Sequence, residues 1–180
     1  MARPDFYNSA LKHMVNTSLF NKFGLCDLIH SQPATIDYII GNQNDWICTV
    51  NHISSRNLHY IPVDFNIDLL YVWGCQSIHC DCMLFGTDSV YFIELKDQNW
   101  NSAKKRTPRL KHGMEQLMAT IFHFRRFHQA EFKRLIIKEA YLSNKQYTCA
   151  KNSHKQLVNN FYNKTGFVLE MSNSFTIDES

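Results

Sequence analysis

Residues 80–96 run Cys-Asp-Cys-Met-Leu-Phe-Gly-Thr-Asp-Ser-Val-Tyr-Phe-Ile-Glu-Leu-Lys, two apolar-rich stretches on either side of a four-residue turn signal. The pattern predicts a β-hairpin closing at Gly86-Thr87-Asp88-Ser89, with Asp88 as a turn residue. If Phe85 faces Val90 across that turn, Asp81 faces Glu94, and Lys96 falls opposite His79 on the same face, because strand side chains repeat with period two. Directly opposed residues have Cβ atoms about 5 Å apart, and like charges there are destabilising. A divalent cation converts that repulsion into a pair of ligands. The opposite face carries Cys80, Cys82, Leu84, Tyr91, Ile93 and Leu95, which is core material.

The rest of the chain sets the frame for this hairpin. At 180 residues, 44% hydrophobic and 13% aromatic, it is expected to form one ordered domain over 1–180 with a substantial core. No apolar run reaches membrane-span length, and the first residues lack the apolar stretch of a signal peptide. Six cysteines (26, 48, 75, 80, 82, 149) in a chain of this size do not read as a disulfide scaffold, so buried thiols in a reducing, cytoplasmic setting are expected.

Charge is unevenly spread. Residues 1–95 carry four Lys/Arg against nine Asp/Glu, whereas residues 96–155 carry fourteen against four. A basic half following a pair of carboxylates suits a polyanionic partner.

Leu11, Met14, Val15 and Leu19 recur at helical spacing and predict a helix over about 5–24, stopped at Gly24. Residues 46–50 and 58–65 read as strands, the second interrupted at Pro62, and 68–73 fits helix or strand. A polar, basic connection is expected over 97–112, a long helix over about 113–133, and a strand over 135–142. A helix over about 153–164 ending at Gly166, a strand over 167–171 and a polar tail complete the chain. This order describes an α/β sandwich around a mixed sheet.

The triad of Asp81, then Glu94-x-Lys96 after a turn, resembles the core of the PD-(D/E)xK nuclease superfamily. The resemblance covers the order of elements over about 5–142, with 153–171 as an extension; at residue level it is confined to 79–120. It implies a three-layer αβα sandwich with a mixed central sheet and a restriction-endonuclease-like αβββαβ core. It also implies a metal-dependent endonuclease using Mg²⁺ or Mn²⁺, held by Asp81, Glu94 and the backbone carbonyl of Leu95. Lys96 would polarise the attacking water or neutralise the phosphate. Cys80 stands where the name-giving proline would be. Gln116 falls where some relatives carry a Gln-x-x-x-Tyr motif facing the site, although Thr120 occupies the tyrosine position.

Many members draw another acidic ligand from an early helix. The first Glu in this chain is Glu94, which leaves Asp27, Asp45, Asp64 or Asp68, with Asp27 preferred. Lys104, Lys105, Arg106, Arg109 and Lys111 are placed to hold backbone phosphates, and Trp100 to stack on a base. DNA is the expected substrate ahead of RNA. The alternatives are an RNA endonuclease of cap-snatching type, for which His30 or His13 would add a histidine ligand, and a non-catalytic nucleic-acid-binding or partner-binding module. Double-strand cutting by one small site favours a homodimer. The cluster Cys75, His79, Cys80 and Cys82 lacks the usual C-x₂-C pairs and does not read as zinc.

Overall fold

The computed structural model describes residues 6, 14–27, 32–53, 57–63, 78–97, 103–145 and 154–178. Among the described residues, ten strands and three helices follow one another in the order β1 (Val15–Asn16), β2 (Lys22–Cys26), β3 (Thr35–Asp37), a 3₁₀ turn (Ile40–Asp45), β4 (Cys48–His52), β5 (His59–Pro62), β6 (Cys82–Phe85), β7 (Ser89–Lys96), α1 (Ala103–Phe127), α2 (Gln129–Arg134), β8 (Ile137–Asn144), α3 (Lys155–Thr165), β9 (Val168–Glu170) and β10 (Ser174–Ile177). The fold is α/β with mixed sheets.

A six-stranded sheet runs β1-β5-β6-β7-β8-β9. Its first four strands pair antiparallel, and β8 and β9 then lie parallel to β7 and β8. The hairpin has the register expected of it: Phe85 pairs with Val90 and Cys82 with Ile93. The turn closes through Gly86 N–H donating to Ser89 O at 3.0 Å.

Period two then sorts the side chains. Met83, Val90 and Phe92 join Leu117, Ile121 and Phe124 of α1 in a core on the helix side of the sheet. Cys82, Leu84, Tyr91, Ile93 and Leu95 face the other way, as expected. Cys80, expected on that second face, instead belongs to the helix-side core, because it lies outside the hydrogen-bonded ladder that enforces alternation.

The second face of the sheet is covered by another sheet, β10-β4-β2-β3, which contributes Phe23, Leu25, Val50, Phe175 and Ile177. Among the described residues the layers therefore run helices, sheet, sheet, where helices on both faces were expected.

Several element assignments differ from the sequence expectation. The helix over 5–24 is replaced, in its described part, by β1 and β2. Leu19, which supplied the helical periodicity, is 86% exposed. Gly24 is not a stop but a mid-strand residue under the Trp46 ring, where an added Cβ would stand 2.0 Å from Trp46 Cγ.

The connection expected over 97–112 is helical from Ala103 onward, with Pro108 inside it; burial of Leu110 and Met114 against the sheet outweighs the lost backbone donor. The polar tail contains β10, whose alternation of exposed Ser174 and Thr176 with buried Phe175 and Ile177 lets it pair with β4.

The long helix expected over about 113–133 is divided at His128, with α1 ending at Phe127 and α2 taking Gln129–Arg134. β5 ends at Pro62, β8 and β9 fall where strands were expected, and α3 ends at Gly166 with φ +77°. That left-handed conformation is one glycine adopts without a Cβ penalty. Cys26, Cys48, Cys80 and Cys82 are buried and form no disulfide among the described residues. The stretch expected over 68–73 lies outside the described residues. Among the described residues no helix is long and apolar enough to cross a membrane.

Candidate metal and phosphate site

Glu94 sits near the C-terminal end of β7, and its side chain is fully buried. It points to the helix layer, where a carboxylate has no reason to be unless something charged is to meet it. α1 comes down directly on it. Gly113 makes that approach feasible, since a Cβ at this position would lie 2.5 Å from Leu142 Cδ1 and 3.5 Å from Glu94 Cγ.

The register carries Asp81 to the position across from Glu94, one step beyond the last ladder pair. Its Oδ2 accepts a 2.5 Å hydrogen bond from the backbone N–H of Leu95, so Asp81 grips the peptide next to Glu94.

Lys96 closes the group. Its ammonium bonds to Glu94 Oε1 and donates at 2.9 Å to Gln116 Oε1. The Lys96 side chain is 15% exposed, so this is not a solvated surface pair of negligible consequence. Gln116, half-buried on α1, uses its Nε2 to donate to His79 O at 3.0 Å, which fixes the orientation of the amide and leaves Oε1 for the ammonium.

One residue before Asp81, the Cys80 N–H donates to Thr120 Oγ1 at 2.9 Å, and Thr120 Oγ1 donates back to Gln116 O at 3.1 Å. Thr120 therefore ties α1 to the strand that carries Asp81. Across the sheet, Asn144 stands beside Lys96 and its Nδ2 donates to Lys96 O at 2.6 Å.

The electrostatics are dominated by burial. Loss of water, then the charge of Asp81, pushes the Glu94 carboxyl well above the usual carboxylate range; Lys96 pulls it down, and Asp27 raises it further. Glu94 Oε2 is buried with no hydrogen-bond partner among the described residues. A buried, half-satisfied carboxylate facing a second carboxylate is the donor set that accepts a hard cation. Mg²⁺ in particular binds through one or two carboxylates and keeps most of its waters. Asp81 and Glu94 are such a pair of carboxylates.

The other sequence candidates divide. Asp27 follows β2 directly and is near enough for its charge to act on Glu94. It does not join Asp81 and Glu94 in a three-donor set: no group of three or more His, Cys, Asp or Glu gathered for a metal occurs among the described residues.

Arg109 (half-buried) and Lys111 (exposed) lie on α1 rather than on a loop. Lys104, Lys105 and Arg106 belong to the first turns of that helix. Trp100, His13 and His30 lie outside the described residues. His79 enters through its carbonyl rather than through the expected pairing with Lys96.

Sequence reasoning missed Gly113, Thr120 as a tether, and Asn144. Thr120 was in view only as a departure from a motif, though its i+4 spacing from Gln116 was the available signal. Nothing local marks Asn144, which reaches Lys96 only through the parallel pairing of β7 and β8.

No family model, no curated protein and no solved structure matches the chain.

Proposed function

We propose that the protein is a metal-dependent nuclease that hydrolyses phosphodiester bonds, acting as an endonuclease on DNA ahead of RNA. The observation that carries this reading is the buried Glu94 carboxylate, opposite Asp81 and beside Lys96, with one oxygen lacking a partner among the described residues. The succession β5-β6-β7-α1-α2-β8, with β8 parallel to β7, supports a restriction-endonuclease-like core around that site.

Asp81, Glu94 and the Leu95 carbonyl would hold Mg²⁺ or Mn²⁺. Bound there, the ion supplies charge neutralisation at the phosphate and lowers the pKa of a coordinated water. The protein's own groups do the rest. Asp81 holds the Leu95 peptide in place through its N–H, and Asn144 holds the next carbonyl, so the strand end cannot swing. Lys96 keeps a proton-donating ammonium on the α1 side of the sheet, where it neutralises an anionic phosphate oxygen once Glu94 is otherwise engaged. Gln116 orients that ammonium from the helix. Arg109 and Lys111 extend the positive surface along α1.

The test is incubation with labelled single- and double-stranded DNA and RNA in Mg²⁺, Mn²⁺ or EDTA. Cleavage that requires metal and disappears in Asp81→Ala, Glu94→Gln and Lys96→Ala is the expected result. Binding without cleavage, unchanged by those substitutions, overturns the enzyme reading and leaves a nucleic-acid-binding module.

A further inference from the structure

α1 is about 37 Å long for its 25 residues. It carries seven Lys/Arg and a single acid, Glu115. Its first half serves the site described above. Its far end builds a second positive surface with α2 and the start of β8. There Arg125, Arg126, Lys133 and Arg134 are exposed and Lys138 is half-buried.

The cations are arranged around aromatic rings rather than carboxylates. Arg125 Cζ lies 5.3 Å from the Phe132 ring centroid and Lys138 Nζ 4.9 Å from the same centroid, so the two charges are at most about 10 Å apart. Arg126 Cζ lies 5.6 Å over Phe127. The nearby acids lie apart from these rings: Glu131 Oε2 is 3.9 Å from His128 Nδ1, and Glu139 Oε2 accepts the Tyr141 hydroxyl at 2.5 Å. Arg125, Lys133, Arg134 and Lys138 form no ion pair among the described residues.

Cations in the last turn of a helix complement its dipole, and that accounts for Arg125, Arg126, Lys133 and Arg134. It does not account for Lys138, which comes from a strand and converges with Arg125 on one ring. Two like charges brought together without a carboxylate are repulsive unless an anion joins them.

We infer that this far end of α1, around Phe132, is a second nucleic-acid contact that binds backbone phosphates remote from the candidate active site. The register gives the spacing. Lys96 stands beside Asn144 and Val90 beside Lys138, so the two positions are six strand residues apart, about 20 Å. That is roughly six base pairs of duplex. Arg109 and Lys111 toward one end of α1, and Arg125, Lys133, Arg134 and Lys138 around the other, fit one linear polyanion better than a compact acidic protein. The inference rests on nucleic acid being the ligand of the site proposed above, but not on that site being catalytic.

The experiment is fluorescence anisotropy in EDTA with a 20-base-pair duplex and a 20-nucleotide single strand, titrated with salt. Arg125→Gln/Lys138→Gln is expected to weaken binding of at least one of them about tenfold at 0.1 M salt. It should also lower the slope of log K against log salt by about two, one for each lost phosphate contact.

Lys133→Gln/Arg134→Gln, which leaves the Phe132 ring contacts alone, is expected to act in the same direction. Arg125→Lys/Lys138→Arg, which keeps the charge, is expected to bind like the wild type. Lys155→Gln/Lys164→Gln, exposed on α3, removes equal charge elsewhere and is expected to leave the slope unchanged.

An unaltered slope in both patch variants, or an equal loss in the α3 variant, overturns the inference. Patch-dependent binding to phosphatidylserine vesicles with none to oligonucleotides overturns it too. Binding that needs the patch but yields no cleavage with metal sinks the nuclease reading alone; metal-dependent cleavage indifferent to the patch sinks this inference alone.

Discussion

Replacing Glu94 by Gln keeps the shape of the side chain and removes its charge, which isolates what the buried carboxylate is for. Glu94 is fully buried; one oxygen is held by Lys96 and the other has no partner among the described residues. Replacing a buried ion pair by neutral groups is often neutral or stabilising by about 1–4 kcal/mol. Against this, the Gln amide N–H₂ becomes an unpaired buried donor, costing about 1–3 kcal/mol. The two nearly offset, so without metal the variant is expected to melt within a few degrees of the wild type.

pH separates the two proteins. The folded-state carboxyl of Glu94 is raised, so the native state binds its proton more readily than the unfolded chain does. Above the unfolded value of about 4.3, this group makes the wild type lose stability as pH rises toward the folded pKa, by at most about 1.4 kcal/mol per unit. For a chain of this size that is about 3–5 °C per unit. The Gln variant lacks this component.

Divalent metal separates them in the opposite sense. At a hundred times its dissociation constant it adds about 2.7 kcal/mol to the wild type and nothing to the variant. Differential scanning fluorimetry from pH 5 to pH 8, with Mg²⁺, Mn²⁺ or EDTA, reads both effects. The reasoning fails if the variant gains as much from metal as the wild type, or keeps the same pH slope.

Other substitutions test how the site is held. Thr120→Val removes the hydroxyl to which the buried Cys80 N–H donates and is expected to cost about 1–3 kcal/mol in urea denaturation; an unchanged midpoint removes Thr120 as a tether. Asn144→Leu strands the Lys96 carbonyl, with a loss of the same order and a weaker metal-induced rise in melting temperature. Gly113→Ala gains about 1 kcal/mol of helix propensity but overpacks Leu142 by an amount worth about 1–3 kcal/mol. A net loss in urea denaturation is therefore expected, and a raised midpoint contradicts the close approach of α1. Gly24→Ala drives a methyl into the Trp46 indole and is expected to cost 3 kcal/mol or more, read as lost thermal stability or lost soluble yield.

The hairpin was legible because its signals are local. A turn cluster between alternating runs fixes which residues face each other, and the pairs from Phe85–Val90 to Cys82–Ile93 follow from it. The helix-side core of α1 and the glycine stop of α3 were legible for the same reason.

The second sheet was not. β2 looked like the end of a helix because Val15 and Leu19 kept helical spacing, but β2 is decided by β4 and Trp46, far along the chain. β10 carries a readable alternation over four residues, too short to be distinguished from a tail without its partner. In the candidate site, the residues on the hairpin and on one helix face were readable, whereas Asn144 depends on the register of two strands separated by α1.

The pairing of β10 with β4 also has a consequence in time. Ser174 meets Thr49 about 125 residues after β4 has been made. At a synthesis rate of roughly 5–20 residues per second, one edge of β4 stays open for about 6–25 seconds. During that interval it offers the buried side chains of Cys48 and Val50, and unpaired backbone groups, to any other nascent strand. A pause or premature stop between residues 53 and 173 would prolong that exposure, so half-made chains of this protein should aggregate more readily than the finished one.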